Sequence, residues 1–253
     1  MMCTMYTLAL ANHKGGVGKT TTTHALGIIL AHEYNRQVLI IDIDPQASLT
    51  GACGIQAPGK SMAEVMMGEM PLEDTLVDVG EGLYLAPSDI ALAHTEMRLL
   101  AKIGRENILR RQLSRLKDRF DYVLIDSPPS LGMLTINALV AADDVLIPSQ
   151  PQYLDLRGLA LFTETLNEVR EELNPDLGVL GVLPTFWDRR LKHHNEVLTA
   201  WHQAGLPVIP VQIARSVRVA EAPVSGQSVV TYAPENPSSV AYRGLAEVIE
   251  EDR

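Results

Sequence analysis

The chain is poor in features that would place it outside the cell or in a membrane. Two cysteines, Cys3 and Cys53, stand among 253 residues with no C-x-x-C spacing. That excludes the even-numbered disulfide framework of small secreted domains and reads as reduced thiols. No apolar run approaches the roughly 18 to 20 residues a membrane span needs, and Met1 to Leu10 lacks the charged and apolar regions of a signal peptide. Gly/Ser/Pro linkers, low-complexity tracts and internal repeats are missing too. The expectation is one cytosolic domain over residues 1–253.

Hydrophobic residues make up 46% and charged residues 21%, which is ordinary globular usage and allows a sizeable core. The net charge of −10 argues at first sight against a nucleic-acid partner. Its distribution matters more than the sum. Lys102 to Arg119 holds seven basic residues against two acidic, and Phe186 to Arg218 holds five against two. An acidic body with two basic segments is compatible with one local anionic partner.

Short runs rich in Val, Ile and Leu alternate with longer helix-like stretches, the pattern of β-α-β units feeding a buried parallel sheet. Strands are expected at Thr7 to Ala11, Val38 to Asp42, Leu83 to Ala86, Tyr122 to Asp126, Asp144 to Pro148, Gly178 to Leu183 and Pro207 to Pro210. Helices are expected at Thr20 to Glu33, Arg105 to Arg119, Met133 to Ala141, Leu156 to Leu173, His193 to His202 and Ser239 to Glu250. In the second of these, Leu109, Leu113, Leu116 and Phe120 recur at three- and four-residue steps, which puts the arginines on the solvent face. Pro58 to Ser61 and Pro234 to Ser239 read as surface loops. The fold class is therefore α/β, a mostly parallel twisted sheet flanked by helices.

Where the first strand ends and the first helix begins lies Ala11-Asn12-His13-Lys14-Gly15-Gly16-Val17-Gly18-Lys19-Thr20-Thr21. Glycines let such a loop curl its N–H groups inward onto phosphate oxygens, and the start of the following helix adds partial positive charge. Lys19 would reach the β- and γ-phosphates, and the Thr20 hydroxyl would sit on Mg²⁺. Against the standard G-x-x-x-x-G-K-[ST], His13 replaces the first glycine and Lys14 adds a second lysine.

Two carboxylate segments follow. Asp42-Ile43-Asp44-Pro45-Gln46 closes the second strand, and period-two alternation would send both aspartates to one side, where one of them can face the phosphates. Asp44 as a plain turn cap before Pro45 is the competing reading. Tyr122-Val123-Leu124-Ile125-Asp126 is an apolar strand ending in a carboxylate suited to Mg²⁺, and Ser127-Pro128-Pro129 must then leave the sheet as a phosphate-sensing loop.

Together, Lys14 to Thr20, Asp42 to Gln46 and Ile125 to Pro129 resemble the ParA/Soj branch of the ParA/MinD superfamily, P-loop NTPases of the deviant Walker A, SIMIBI-like kind. The resemblance continues through Gly181 to Arg190, Ser216 to Pro223 and Ala241 to Ala246. It implies a slow, partner-stimulated ATPase using ATP and Mg²⁺, with Lys14, Gly15, Gly16, Val17, Gly18, Lys19, Thr20 and Thr21 cradling the nucleotide. It further implies that Lys14 crosses a homodimer interface to the other subunit's phosphates, that Asp44 positions the hydrolytic water, and that Thr185 helps frame adenine. Thr20 and Asp126 would hold the metal. Arg215 and Arg218 match a non-specific DNA-binding patch, with Arg189, Arg190 and Lys192 as helpers. Some of these cations could instead only salt-bridge the acidic body.

The implied partners are nucleoid DNA and a ParB-like adaptor, and the cargo is a chromosome, plasmid or protein assembly. The chain begins almost at the first strand, so operator binding by an extra N-terminal domain is not expected. A MinD-like membrane-cycling ATPase is the alternative, opposed by the acidic end Glu247 to Arg253, which anionic lipid would repel. An iron–sulfur carrier on the same scaffold would need thiolate ligands, and Cys3 and Cys53 lack partners nearby.

Overall fold

A computed structural model describes residues 5–152 and 155–251. Cys3 and the end of the acidic tail, Asp252 and Arg253, lie outside the described residues. Seven strands form one sheet: β1 (Tyr6–Leu10), β2 (Val38–Asp42), β3 (Val77–Gly80), β4 (Leu83–Ala86), β5 (Tyr122–Asp126), β6 (Asp144–Ser149) and β7 (Gly178–Pro184). Their order is β3-β4-β2-β5-β1-β6-β7, parallel throughout except for the antiparallel β3-β4 edge. The expected fold class is the one observed.

Alternation along the central strands sorts the core into two layers. Ala9, Leu39, Ile41, Val123, Ile125, Val145 and Ile147 face one apolar layer. It is covered by α3 (Met62–Met67), α4 (Ala91–Leu99), α5 (Ile108–Leu113), α6 (Met133–Ala141), α7 (Asp155–Glu172) and α8 (Lys192–Gln203). Leu8, Leu10, Val38, Ile40, Leu124 and Leu146 face the other. That side is covered by α1 (Lys19–Ile28), α2 (Ser48–Ala52), α9 (Val217–Glu221), α10 (Val229–Tyr232) and α11 (Pro237–Glu251). By the same alternation, Asp42 and Asp126, two residues beyond Ile40 and Leu124, end their strands on the α1 side.

Parallel pairing puts the strand C-termini on one edge. Leu10 is the register partner of Asp126, and Asp126 of Asp42. The turn leaving β1 therefore starts beside both carboxylates.

Three expectations need correction. Pro207 to Pro210 is not a strand: it runs beside β7 with one bridge, Val208 to Val182, because its two prolines have no N–H to give a ladder. The helix expected from Arg105 to Arg119 is broken into a 3₁₀ turn at Arg105–Asn107, α5, and turns beyond Ser114. Its apolar repeat is nonetheless buried and its Arg110, Arg111, Arg115 and Arg119 are exposed, as the spacing predicts. The loop expected at Pro234 to Ser239 ends early, since α11 starts at Pro237, a residue suited to the first helical turn. Edge strand β3 and the short helices α2, α3, α4, α9 and α10 were not anticipated.

Candidate functional site

The turn from β1 into α1 is organised by Asn12, a residue of the loop motif to which sequence reasoning gave no role. Its Nδ2 donates to Pro148 O on β6 (2.8 Å), its Oδ1 accepts from the Lys14 amide (3.0 Å), and its carbonyl accepts from Lys19 Nζ (3.3 Å). A buried polar side chain between an apolar strand and a glycine loop was the available signal. Lys19 Nζ also donates to Lys14 O at 3.2 Å, so the lysine closes the loop on itself. Gly16 and Gly18 take φ of 71° and 95°, a region costly for any residue with a Cβ. Thr185, 1% exposed, donates its hydroxyl to Val17 O at 2.8 Å and props the loop from beneath.

Lys19 is 6% exposed, and burial lowers its pKa, with Asp126 and then Asp44 opposing that shift. Lys14 differs. Its Nζ donates to Gln152 Oε1 at 3.1 Å, at an exposed position on the segment between β6 and α7. Gln152 in turn donates to Gln150, and Gln150 donates to Gly16 O. The two lysines of the loop thus occupy different environments, one folded inward and one at the rim.

Thr20 Oγ1 donates to Asp126 Oδ2 at 2.7 Å, and Asp126 Oδ1 is buried with no hydrogen-bond partner among the described residues. Burial, and next the neighbouring Asp42, raise the Asp126 pKa well above the carboxylate range. A buried carboxylate oxygen without a donor, beside a hydroxyl, is a donor set suited to a hard divalent cation such as Mg²⁺. The pair fits that metal.

Asp42 and Asp44 part company. Asp42 is fully buried, and its Oδ2 accepts from the Thr50 amide and hydroxyl, both at 2.8 Å. Burial, only partly offset by those bonds, raises its pKa to about 6. The Asp44 amide donates to Asp42 Oδ1 and its carbonyl accepts from Ser88 Oγ, while the residue lines the cleft. β2 stops at Asp42, so Asp44 lies beyond the strand, yet it lines the cleft with residues of α1, the side on which Asp42 also ends its strand. Asp44 is the one that meets the cleft. It also caps its own turn, accepting from the Gln46 amide at 2.9 Å.

The cleft measures about 560 Å³. Gly15 to Thr21, His24, Asp44 and Ser48 line one side, and Pro129, Phe186, Pro223 and Gln227 to Val229 line the rest. Phe186 holds φ of 52°, an unusual backbone for an aromatic residue, at the cleft wall.

Arg189, Arg190, Lys192, Arg215 and Arg218 are all exposed. Backbone bonds from Trp187 to Ile213 and from Arg215 to Trp187 bring the two basic stretches side by side. Arg218 also forms an ion pair with Glu221 at 2.8 Å. Cys53 is partly buried, and no group of three or more metal-binding side chains occurs among the described residues.

An inward lysine on a glycine loop at a strand-to-helix turn, with a threonine and a strand-end aspartate beside it, defines a P-loop ATPase. Residues 5–179 match the family described as AAA domain. The sporulation initiation inhibitor protein Soj of Bacillus subtilis is 39% identical over 249 residues, covering 96% of this chain and 97% of that one. The chromosome-partitioning ATPase Soj of Thermus thermophilus is 41% identical over 244 residues, covering 96% and 94%. A crystal structure titled cobyrinic acid a,c-diamide synthase from Mycobacterium smegmatis, with bound ATP analog and magnesium, superposes with a TM-score of 0.87 at 39% identity, covering 98% and 95%. The chain belongs to the ParA/Soj-type partition ATPases of the ParA/MinD superfamily.

Proposed function

We propose that this ATPase is a partition or positioning switch in which ATP and Mg²⁺ draw two copies face to face, the dimer holds DNA without sequence preference, and adaptor-stimulated hydrolysis lets go. The observation that carries the reading is the division of labour between two lysines of one loop, Lys19 turned inward and Lys14 at the rim beside Gln152. An inward lysine serves the phosphates of its own subunit. One at the rim can serve those of a second.

Amides from Gly15 to Thr21 cradle the phosphates and Lys19 neutralises the β- and γ-oxygens. Thr20 and Asp126 would hold a magnesium ion, which would supply positive charge against the nucleotide's phosphates. Asp44, at the cleft, orients the attacking water. Lys14 provides charge in trans, where a low-dielectric interface strengthens it. Thr185 fixes the loop floor next to the adenine end. Residues 1–253 act as one ATPase domain.

Arg215 and Arg218, with Arg189, Arg190 and Lys192, form the DNA face. An exposed ion pair such as Arg218–Glu221 is worth only about 0–1 kcal/mol, so phosphate competes for Arg218 readily. The site of action is the cytoplasm, on the nucleoid, with a ParB-like or other cargo adaptor as partner. α11 itself is not free to lie on a membrane, because its Tyr242, Leu245, Ala246 and Ile249 are committed to the core. Its Glu250 is also engaged, by Arg36 and Tyr122.

Light scattering of the Asp44→Ala protein tests this reading. The expected outcome is a dimer with ATP and Mg²⁺, a monomer with ADP, and DNA retention by the dimer alone. A monomer under all conditions contradicts it.

A further inference from the structure

The position where a standard P-loop carries its first glycine holds His13, and the residue facing it is Gly158 in the first turn of α7. A Cβ built on Gly158 would collide with the imidazole, overlapping Cε1 and Nε2 and meeting Nδ1 at 3.2 Å. The ring therefore lies directly on the α7 backbone, in space that only glycine leaves open. Among the described residues its buried Nδ1 has no hydrogen-bond partner, so no polar bond at that nitrogen holds the ring against α7.

This contact belongs to a set. The first half of the phosphate loop is tied to the segment running from β6 into α7 at four points. Asn12 donates to Pro148 O, Lys14 Nζ to Gln152 Oε1, and Gln150 Nε2 to Gly16 O. The fourth is His13 on Gly158, flanked in sequence by Asn12 and Lys14. The three hydrogen bonds can each stretch or swap with water. The steric contact cannot, because close-packed groups respond to a lost or added carbon by moving.

We propose that His13 and Gly158 are a matched pair, and that His13 is a positioning residue for Lys14: seated on α7, the imidazole fixes where the loop begins and hence where the Lys14 amine stands at the rim. The proposal rests on the reading of Lys14 as the residue that serves a second subunit. It explains why a bulky ring is tolerated where the loop pattern has glycine, since the room it needs has been vacated on α7.

The test is a rescue cycle with Gly158→Ala, His13→Gly and the double variant, alongside Lys14→Ala. Each is assayed for thermal stability, ATP affinity and ATP-dependent dimerisation by light scattering. Gly158→Ala is expected to keep its ATP affinity within about threefold and to lose dimerisation at least tenfold in midpoint concentration. The double variant, with the ring removed, is expected to return to the level of His13→Gly alone. Gly158→Ala dimerising normally overturns the proposal, as does a double variant that dimerises less well than His13→Gly alone. Should Gly158→Ala fail to fold, recovery of folding in the double variant sustains the matched pair, and a His13→Gly protein dimerising like the unaltered chain overturns the positioning role. If Lys14→Ala dimerises normally while the rescue succeeds, the trans reading fails and the pairing of His13 with Gly158 stands.

Discussion

Thr20 and Asp126 meet across the mouth of the sheet, hydroxyl to carboxylate at 2.7 Å, with the second carboxylate oxygen buried and unpaired among the described residues. Asp42 lies in register beside that carboxylate on the adjoining strand. Two buried acids side by side, one lacking a full set of donors, are an arrangement that a cation completes and that is costly to hold without one.

Asp126→Asn should therefore separate stability from function. Without metal, the variant is expected to be more stable than the unaltered protein by about 1–2 kcal/mol, since asparagine has no ionisation that burial opposes. The Asp126 pKa is raised, so the native state holds its proton more tightly than the unfolded chain, and the gap widens as pH rises above the usual carboxylate range. Urea titrations in EDTA at two pH values measure this. With Mg²⁺ and ATP the order reverses, because the variant gains no stabilisation from the metal nucleotide.

His24 supplies an acid limb. It is 6% exposed in α1, and burial lowers its pKa from 6.5 to about 4. The unfolded chain then binds more protons than the native state between those two values. Stability contributed by neutral His24 is fully present above pH 6.5 and is lost as pH falls toward 4. At pH 5 the loss is about 2 kcal/mol. His24→Gln cannot titrate, and its stability difference from the parent should shift in its favour by that amount between pH 7 and pH 5. A pH-independent difference would refute the assignment.

Gly27 shows how closely α1 approaches the sheet. A Cβ there would stand 2.8 Å from Ile40 Cγ2 and 3.3 Å from a Leu83 methyl. Gly27→Ala should lose about 1–3 kcal/mol to overpacking, although alanine is the better helix former. Chemical denaturation reads the loss directly, and a stabilised variant would show that the sheet yields.

Arg218→Glu should remove DNA retention while leaving ATP affinity unchanged. The basic stretches around Arg189 and Arg215 stand together through backbone bonds to Trp187, so binding to phosphate should weaken with salt at a slope of about −0.9 per phosphate contacted. Filter binding across a salt series gives that slope for the parent and for Arg215→Ala, which should lose about one contact.

The strands that end at the site were legible in the sequence because buried parallel strands read as unbroken apolar runs: Val38 to Asp42 and Tyr122 to Asp126 appear with the boundaries expected. Less was legible where pairing is irregular. β3 is a short edge strand carrying Asp78 and a bulge, with no alternation to detect. Pro207 to Pro210 has strand composition, yet its prolines defeat the ladder. The separation of Asp42 from Asp44 depends on where β2 stops, and Thr50, which captures Asp42, is contributed by a five-residue helix no periodicity reveals. Asn12 and the seating of His13 on Gly158 are tertiary facts. No spacing links residues so far apart in the chain.

The most direct measurement is calorimetric titration of the purified protein with ATP, with and without Mg²⁺, beside Lys19→Ala. Saturable, magnesium-dependent binding that weakens by about 2 kcal/mol or more in the variant is the predicted result, as expected for truncating a buried charged contact. Absence of ATP binding, or binding indifferent to Lys19, would contradict the account.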